Sequence, residues 1–166
     1  RIDSQIPLIK NYFIKYDLNM HTYSLLAGNN FTLARNVEGL YHEFGIKKAS
    51  LKNFQYEVKA VYYVDNASSA VFDEDVYAFG LKGDFVKFLN NNGRIDCRVD
   101  YFDANGFEGM PSEALKGISS NKTIRLNLSS SVMIDRFLSV NTSIMYTDSE
   151  RYSGFFQIVG ELRAYF

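Results

Sequence analysis

The residues best suited to chemistry are charges that alternate with apolar groups. From Arg94 to Tyr101, one set of alternate positions holds Arg94, Asp96, Arg98 and Asp100. The other holds Ile95, Cys97, Val99 and Tyr101. A strand separates two such sets onto opposite faces, whereas a helix would mix them around its surface. The same parity picks out Lys15, Asp17, Glu43, Glu57, Lys59, Lys82, Asp84, Arg125, Glu161 and Arg163. Both signs are interspersed. If these faces share an enclosed space, the charges must pair, because an unpaired buried ion is costly. A tight interior would then be plugged by salt bridges. A wider one would be a pore whose charges select ions.

Other chemistry finds less support. His21 and His42 are the only imidazoles. His21 falls at the start of an expected loop with Ser24 and Asp17 nearby, but no nucleophile–base spacing is forced. His42 reads as a packed or interior residue. The run Asp73-Glu74-Asp75 reads as a solvated acidic loop, with surface binding of a divalent cation as the alternative. Cys97 is the single cysteine, so no disulfide forms within the chain. One Cys and two His exclude a Cys-rich zinc centre. There is no phosphate-cradling Gly loop and no nucleophile elbow. The expectation is a non-enzyme without cofactor or metal. A formal net charge of -1 leaves no basic footprint for nucleic acid.

Strands must position these residues. Alternation dominates: Tyr12, Ile14, Tyr16, Leu18 and Met20 oppose Lys15, Asp17 and Asn19, and Phe54 to Val64 repeats the pattern. The 166 residues read as one all-β domain spanning 1–166. About eight strands are expected, near 11–20, 31–45, 53–65, 76–88, 94–103, 122–133, 137–147 and 154–166. Alternation slips at Glu38–Gly39, which predicts a β-bulge there. Residues 1–10 carry Pro7, which argues against a central strand. The connectors at Lys47–Lys52, Asn90–Gly93 and Ile134–Arg136 are short. Those at His21–Asn30, Asn66–Asp75, Asp103–Asn121 and Asp148–Ser153 are mostly longer and polar. In Asp103–Asn121, Phe107 and Met110 are candidate apolar contacts for an extracellular ligand or partner.

Twelve Tyr and fourteen Phe with no Trp supply the aromatic content. They cluster toward both ends of the expected strands. Phe31, Tyr62, Tyr63, Tyr77, Phe79, Tyr101, Phe102, Tyr146, Phe155 and Phe156 fall near one end, and Tyr12, Phe13, Phe44, Phe54, Tyr56, Phe85, Phe88, Phe137, Tyr165 and Phe166 near the other. Small and aliphatic residues lie between. That is the girdle pattern of membrane barrels. No run of 18 or more apolar residues exists to form a spanning helix, a test that barrel strands escape. Eleven residues rise about 36 Å along a strand. Tilted near 45°, they cover about 25 Å, the height of a barrel's apolar band.

The last strand reads Gly154-Phe155-Phe156-Gln157-Ile158-Val159-Gly160-Glu161-Leu162-Arg163-Ala164-Tyr165-Phe166. Phe156, Ile158, Leu162 and Phe166 share one face. This resembles the C-terminal β-signal of bacterial outer-membrane β-barrel proteins, with a departure at Ala164, where a larger apolar group is common. The resemblance implies recognition of Phe156, Ile158, Leu162 and Phe166 by the barrel assembly machinery, and a place in the outer membrane of the cell envelope in contact with lipid. It also makes the short turns periplasmic and the long loops extracellular. An upstream signal peptide is then expected, since the chain opens at Arg1 without one.

The resulting expectation is an antiparallel up-and-down transmembrane β-barrel, or the C-terminal part of a larger one. Its role would be structural, anchoring or porin-like transport of small solutes. Arg94, Asp96, Arg98, Asp100, Arg125, Glu161 and Arg163 would form its lumenal charge network. Two alternatives are a soluble lipocalin-like barrel around an apolar ligand and, third, an outer-membrane hydrolase using His21. Burial separates the first two. Val99 and Leu126 exposed with Arg98 and Arg125 enclosed favours the membrane barrel, and the reverse favours the soluble one.

Overall fold

The computed structural model describes residues 1–25, 35–50, 53–68, 73–89, 92–105, 121–149 and 152–164. Nine strands form one antiparallel sheet in simple up-and-down order. They are β1 (Ile2–Ile9), β2 (Tyr12–Leu25), β3 (Arg35–Lys48), β4 (Phe54–Ser68), β5 (Asp73–Leu89), β6 (Gly93–Asn105), β7 (Asn121–Asp135), β8 (Leu138–Ser149) and β9 (Tyr152–Ala164). Each packs against its sequence neighbours; β1 and β9 are not paired with each other, so the sheet is not closed into a barrel.

The strand absent from the sequence reading is β1. Pro7 masked it, and Pro7 lies near its end, beside a register shift, in a strand at the edge of the sheet. An edge or a bulge is where a sheet tolerates a residue without an N–H. The hairpin from β1 to β2 turns through Lys10 and Asn11, with Asn11 at φ 68°. Asn is among the few side chains that sit readily in that left-handed region.

The expected bulge at Glu38–Gly39 does not form. Pairing of β2 with β3 runs unbroken from Tyr12↔Lys48 to Leu25↔Arg35. The register shifts instead lie at Pro7/Ile9, Met133/Asp135 and Thr147/Ser149. Strands also extend into segments read as loops. The Asn66–Asp75 connector is mostly strand, and Asp73 to Asp75 begin β5 rather than forming an acidic loop. Asn66 Nδ2 donates to Asp75 Oδ1 across that end at 2.9 Å. Connectors 26–34 and 106–120 remain long, but 69–72 and 150–151 are as short as the turns at the opposite end.

Strand parity gives the sheet two unlike faces. One carries Ile14, Phe44, Ile46, Val58, Phe79, Leu81, Val99, Ile158 and Leu162. The other carries Lys15, Asp17, Glu43, Lys59, Asp65, Lys82 and Asp100. Burial is inverted relative to a water-soluble sandwich. Phe79 and Leu81 are each 57% exposed, while Asp65 is 0% exposed and Asp17, Glu43 and Asp100 are buried. The core therefore sits on the charged face, where Tyr41, Val61, Tyr63, Val76, Ala78, Phe102 and Ala104 pack together. Of the aromatics expected in the two rings, Tyr63 and Phe102 point to this core because they share the parity of Lys59 and Asp100, and Phe13, Phe88 and Phe155 stand on the same charged face. On the apolar face, Tyr62 meets Phe79 with ring centres 4.6 Å apart, and Phe54 stacks on Phe85 at 6.2 Å toward the other strand ends.

Candidate functional site

The charged face of β2 to β5 carries a continuous ion-pair network. Cross-strand register sets it out: Lys15 lies opposite Gly45, which lies opposite Lys59, which lies opposite Lys82. Asp17 lies opposite Glu43. Lys59 is the hub. Its Nζ is 2.8 Å from Asp17 Oδ2, 3.0 Å from Glu43 Oε2 and 2.9 Å from Glu57 Oε1. Lys15 Nζ donates to Glu57 Oε1 at 3.4 Å. Lys82 Nζ donates to Glu43 Oε1 and to the Tyr63 hydroxyl, both at 3.1 Å. Tyr63 in turn donates to Glu43. With Lys47 Nζ 3.9 Å from Glu57 Oε2, each of the three carboxylates has at least two lysines beside it, and hydrogen bonds accompany the charges. Those are the conditions under which buried ion pairs hold.

Two glycines of β3 make this crowding possible. A Cβ at Gly45 would strike the backbone of β4 and the Lys59 stem. A Cβ at Gly39 would overlap the His21 imidazole and the Asp65 carboxylate. His21, Gly39 and Asp65 stand in one cross-strand row, so the missing side chain lets His21 Nε2 reach Asp65 Oδ1 at 3.3 Å. Tyr41 donates to Asp65 Oδ2 at 3.0 Å. The His21 ring stacks 5.7 Å from Tyr23 and lies 4.5 Å from Tyr41. His21 thus lies within β2, not in a loop. Ser24, its candidate nucleophile, belongs to the opposite parity and donates to Asn36 at 2.7 Å. No Ser–His relay is formed by these two. A cavity of about 280 Å³ opens beside the network, lined by Arg1, Lys15, Asp17, Asn19, Tyr41, Glu43 and Lys59.

All seven residues of the expected charge network occupy this same face. They do not form one cluster. Asp100 is buried in register with Lys82 and Arg125, and Arg125 lies over the Phe102 ring at 5.9 Å. Arg98 reaches Asp84 at 2.6 Å. Arg94 pairs with Asp96, and Arg163 with Glu161 at 2.8 Å, as exposed neighbours along single strands. Exposed pairs of that kind contribute little. The sequence reading missed Tyr41, Tyr63 and Asp65 as members of the enclosed network. Their parity with Lys59 and Glu43 was the available signal.

The comparison of Val99, Leu126, Arg98 and Arg125 divides. Val99 is exposed and Leu126 half-buried; Arg125 is half-buried, but the Arg98 side chain is 62% exposed. Arg98 stands where the face is less crowded, toward strands of short side chains. Ser129, Ser131, Ser139, Asn141 and Ser143 occupy the charged-face positions of β7 and β8. His42 lies on the apolar face, half-buried, within 2.7 Å of the Tyr16 hydroxyl. Phe156, Ile158 and Leu162 are exposed on the apolar face of β9. Phe166, Phe107 and Met110 lie outside the described residues. Among the described residues, no group of three or more His, Cys, Asp and Glu side chains is arranged to hold a metal ion. No protein-family model, curated protein or solved structure matches this chain.

Proposed function

We propose that the chain forms wall strands of a transmembrane β-barrel in the bacterial outer membrane, with the apolar face toward lipid and the charged face toward the lumen. The observation that carries this reading is the inverted burial across β2 to β6: Asp17, Glu43, Asp65 and Asp100 are enclosed while Phe44, Ile46, Phe79 and Leu81 are exposed. In water, such an apolar face would be an aggregation surface; in lipid it is the solvated one. A lipocalin-like soluble barrel needs the opposite arrangement. The role favoured is structural or anchoring. On the β2–β5 side the paired charged side chains narrow the space next to the wall to a cavity of about 280 Å³, which opposes a wide pore there. Small-solute transport would need the opposite side, where side chains are short.

Extraction tests the proposal. The protein should leave the envelope only with detergent and should migrate differently on a gel before and after heating. Recovery in plain buffer would overturn it. Cys97 gives an internal reporter, since it lies opposite Phe85 and Leu128 on the apolar face. In intact membranes a charged maleimide should leave it unlabelled, and unfolding should make it reactive. Ready labelling before unfolding would contradict a lipid-facing position. A charge on this face supplies a third check. Leu81→Arg should cost about 2–4 kcal/mol if Leu81 sits near the bilayer midplane. That loss should appear as reduced folded barrel in the envelope; an unchanged yield would count against the proposal.

A further inference from the structure

The apolar face is not uniform along its length. Strand parity places its charged residues toward the two ends. At the loop end stand Glu38, Asp75, Asp103 and Asp148, with Lys122 opposite Asp103 as the one cation among the described residues. At the turn end of β2 to β5 stand Lys48 and Lys87, with no carboxylate among the described residues. Neither lysine forms a salt bridge with a described residue. The surroundings of Lys48 are specific. It stands between Tyr12 and Tyr56 in one cross-strand row. Its Nζ lies 5.7 Å from the centre of the Tyr12 ring, and the Tyr12 and Tyr56 side chains interact with each other. Lys87 lies opposite Phe54, two residues beyond Phe85 on β5. Toward the middle of the face the next row is aliphatic. Ile14, Ile46 and Val58 stand in register there, and Ile46 and Val58 are exposed.

Resting on the membrane reading above, we infer that Lys48 and Lys87, with the Tyr12 and Tyr56 hydroxyls, bind the head group of an anionic phospholipid in the leaflet that meets the short turns. Each part of the arrangement matches a part of that ligand. The ammonium groups take the phosphate as point charges, and the tyrosine hydroxyls donate to its oxygens. The aromatic rings and the lysine stems lie at the depth where an apolar body with a polar tip is best accommodated. The exposed side chains of Ile46 and Val58 then run beside the acyl chains. The order along the strands is cation, aromatic ring and aliphatic row, which is the order of phosphate, glycerol and hydrocarbon in the lipid. A zwitterionic head group brings its own cation, and two lysines without carboxylate partners repel it. The carboxylates at the loop end repel phosphate, so the site belongs to one leaflet only. A free phosphate would use the lysines but leave the aliphatic row without a partner.

Native mass spectrometry of the full-length protein in detergent tests this. The protein is offered equal amounts of phosphatidylglycerol and phosphatidylcholine with the same acyl chains. It should retain phosphatidylglycerol in preference. Lys48→Gln and Lys87→Gln should each lower that preference by about fivefold, and Lys48→Arg should keep it. Lys122→Gln is the control, because Lys122 lies on the same face at the other end, and it should leave the preference unchanged. Raising the ionic strength should also lower the preference, a readout that needs no variant to fold. Inorganic phosphate should not displace the bound lipid. Equal retention of the two lipids by the unaltered protein would overturn the inference. So would a preference indifferent to salt, one that survives both glutamine substitutions in folded protein, or one that falls as far with Lys122→Gln. Displacement by inorganic phosphate would assign the site to a free anion and overturn the commitment to a lipid. Each of these results in a protein that still requires detergent leaves the membrane reading standing. Recovery in plain buffer removes that reading and the inference together.

Discussion

Lys59→Met should destabilise the fold by about 3–5 kcal/mol, the usual cost of removing one partner from an enclosed ion pair. The expectation follows from its position as the shared cation of Asp17, Glu43 and Glu57. Methionine conserves most of the volume and keeps the packing of the stem, so the loss reports on charge. Three carboxylates would then crowd one enclosed region with Lys15 and Lys82 at its margins. The midpoint of urea unfolding in detergent micelles measures the effect. Adding Glu43→Gln and Glu57→Gln to Lys59→Met should recover part of the loss, because neutral amides do not repel one another. A loss below about 1 kcal/mol would place Lys59 among solvated ion pairs. It would mean that the network does not hold this part of the sheet together.

Gly39→Val is the second large effect expected. Its Cβ alone would overlap both His21 and Asp65, and both lie in strands whose register is fixed on either side of β3. Overpacking of this kind costs about 1–3 kcal/mol. Separating His21 from the fully buried Asp65 adds the penalty of weakening that carboxylate's pairing. Gly160→Ala is the matched control, since a Cβ there meets nothing within 4 Å. It should be neutral or raise stability by about 0.5 kcal/mol, through the lost backbone freedom of glycine. A double-mutant cycle assigns the cause. In a His21→Ala background, Gly39→Ala should cost markedly less than it does with His21 present. Equal costs in the two backgrounds would show that Gly39 is needed for some reason other than the space it leaves.

Much of the architecture was legible in alternation. β2, β4, β6 and β7 appear where apolar and polar residues alternate cleanly, and the faces assigned there are the faces observed. The failures have physical causes. β1 offers only Ile2 and Ile6 as regular apolar markers before Pro7 and a register shift interrupt the pattern. At Glu38–Gly39 the apolar–polar pattern loses its period without any break in the ladder. Gly39 has no side chain to declare its face, and Glu38 lies on the other face, opposite Thr22. The interruption was a space left for His21 and Asp65, in an unbroken ladder. Tyr63 and Phe102 show a different difficulty. Their residue type suggested an interface ring, but parity places them with Lys59 and Asp100. Parity outweighs residue type at both positions. The ion-pair partners were not legible at all. Which carboxylates Lys59 reaches depends on how side chains lean across two strands, and one-dimensional spacing does not encode that.

The nearest-neighbour character of the sheet bears on how such a sheet can change in size. Every strand depends on the two beside it in sequence, and no described strand pairs across the sheet. A hairpin is therefore a removable unit. Inserting or deleting a pair of strands restores the chain direction on both sides of the change. It also keeps the apolar residues facing one way and preserves the turn end and the loop end. A single strand does none of these things. The circumference of a barrel built this way can grow or shrink by duplication and loss of hairpins, in steps of two, without redesign of either edge. The region from β2 to β5 resists such editing, because Lys59 and Lys82 tie strands beyond their immediate neighbours. Lys59 reaches Asp17 two strands away, and Lys82 reaches Glu43 two strands away.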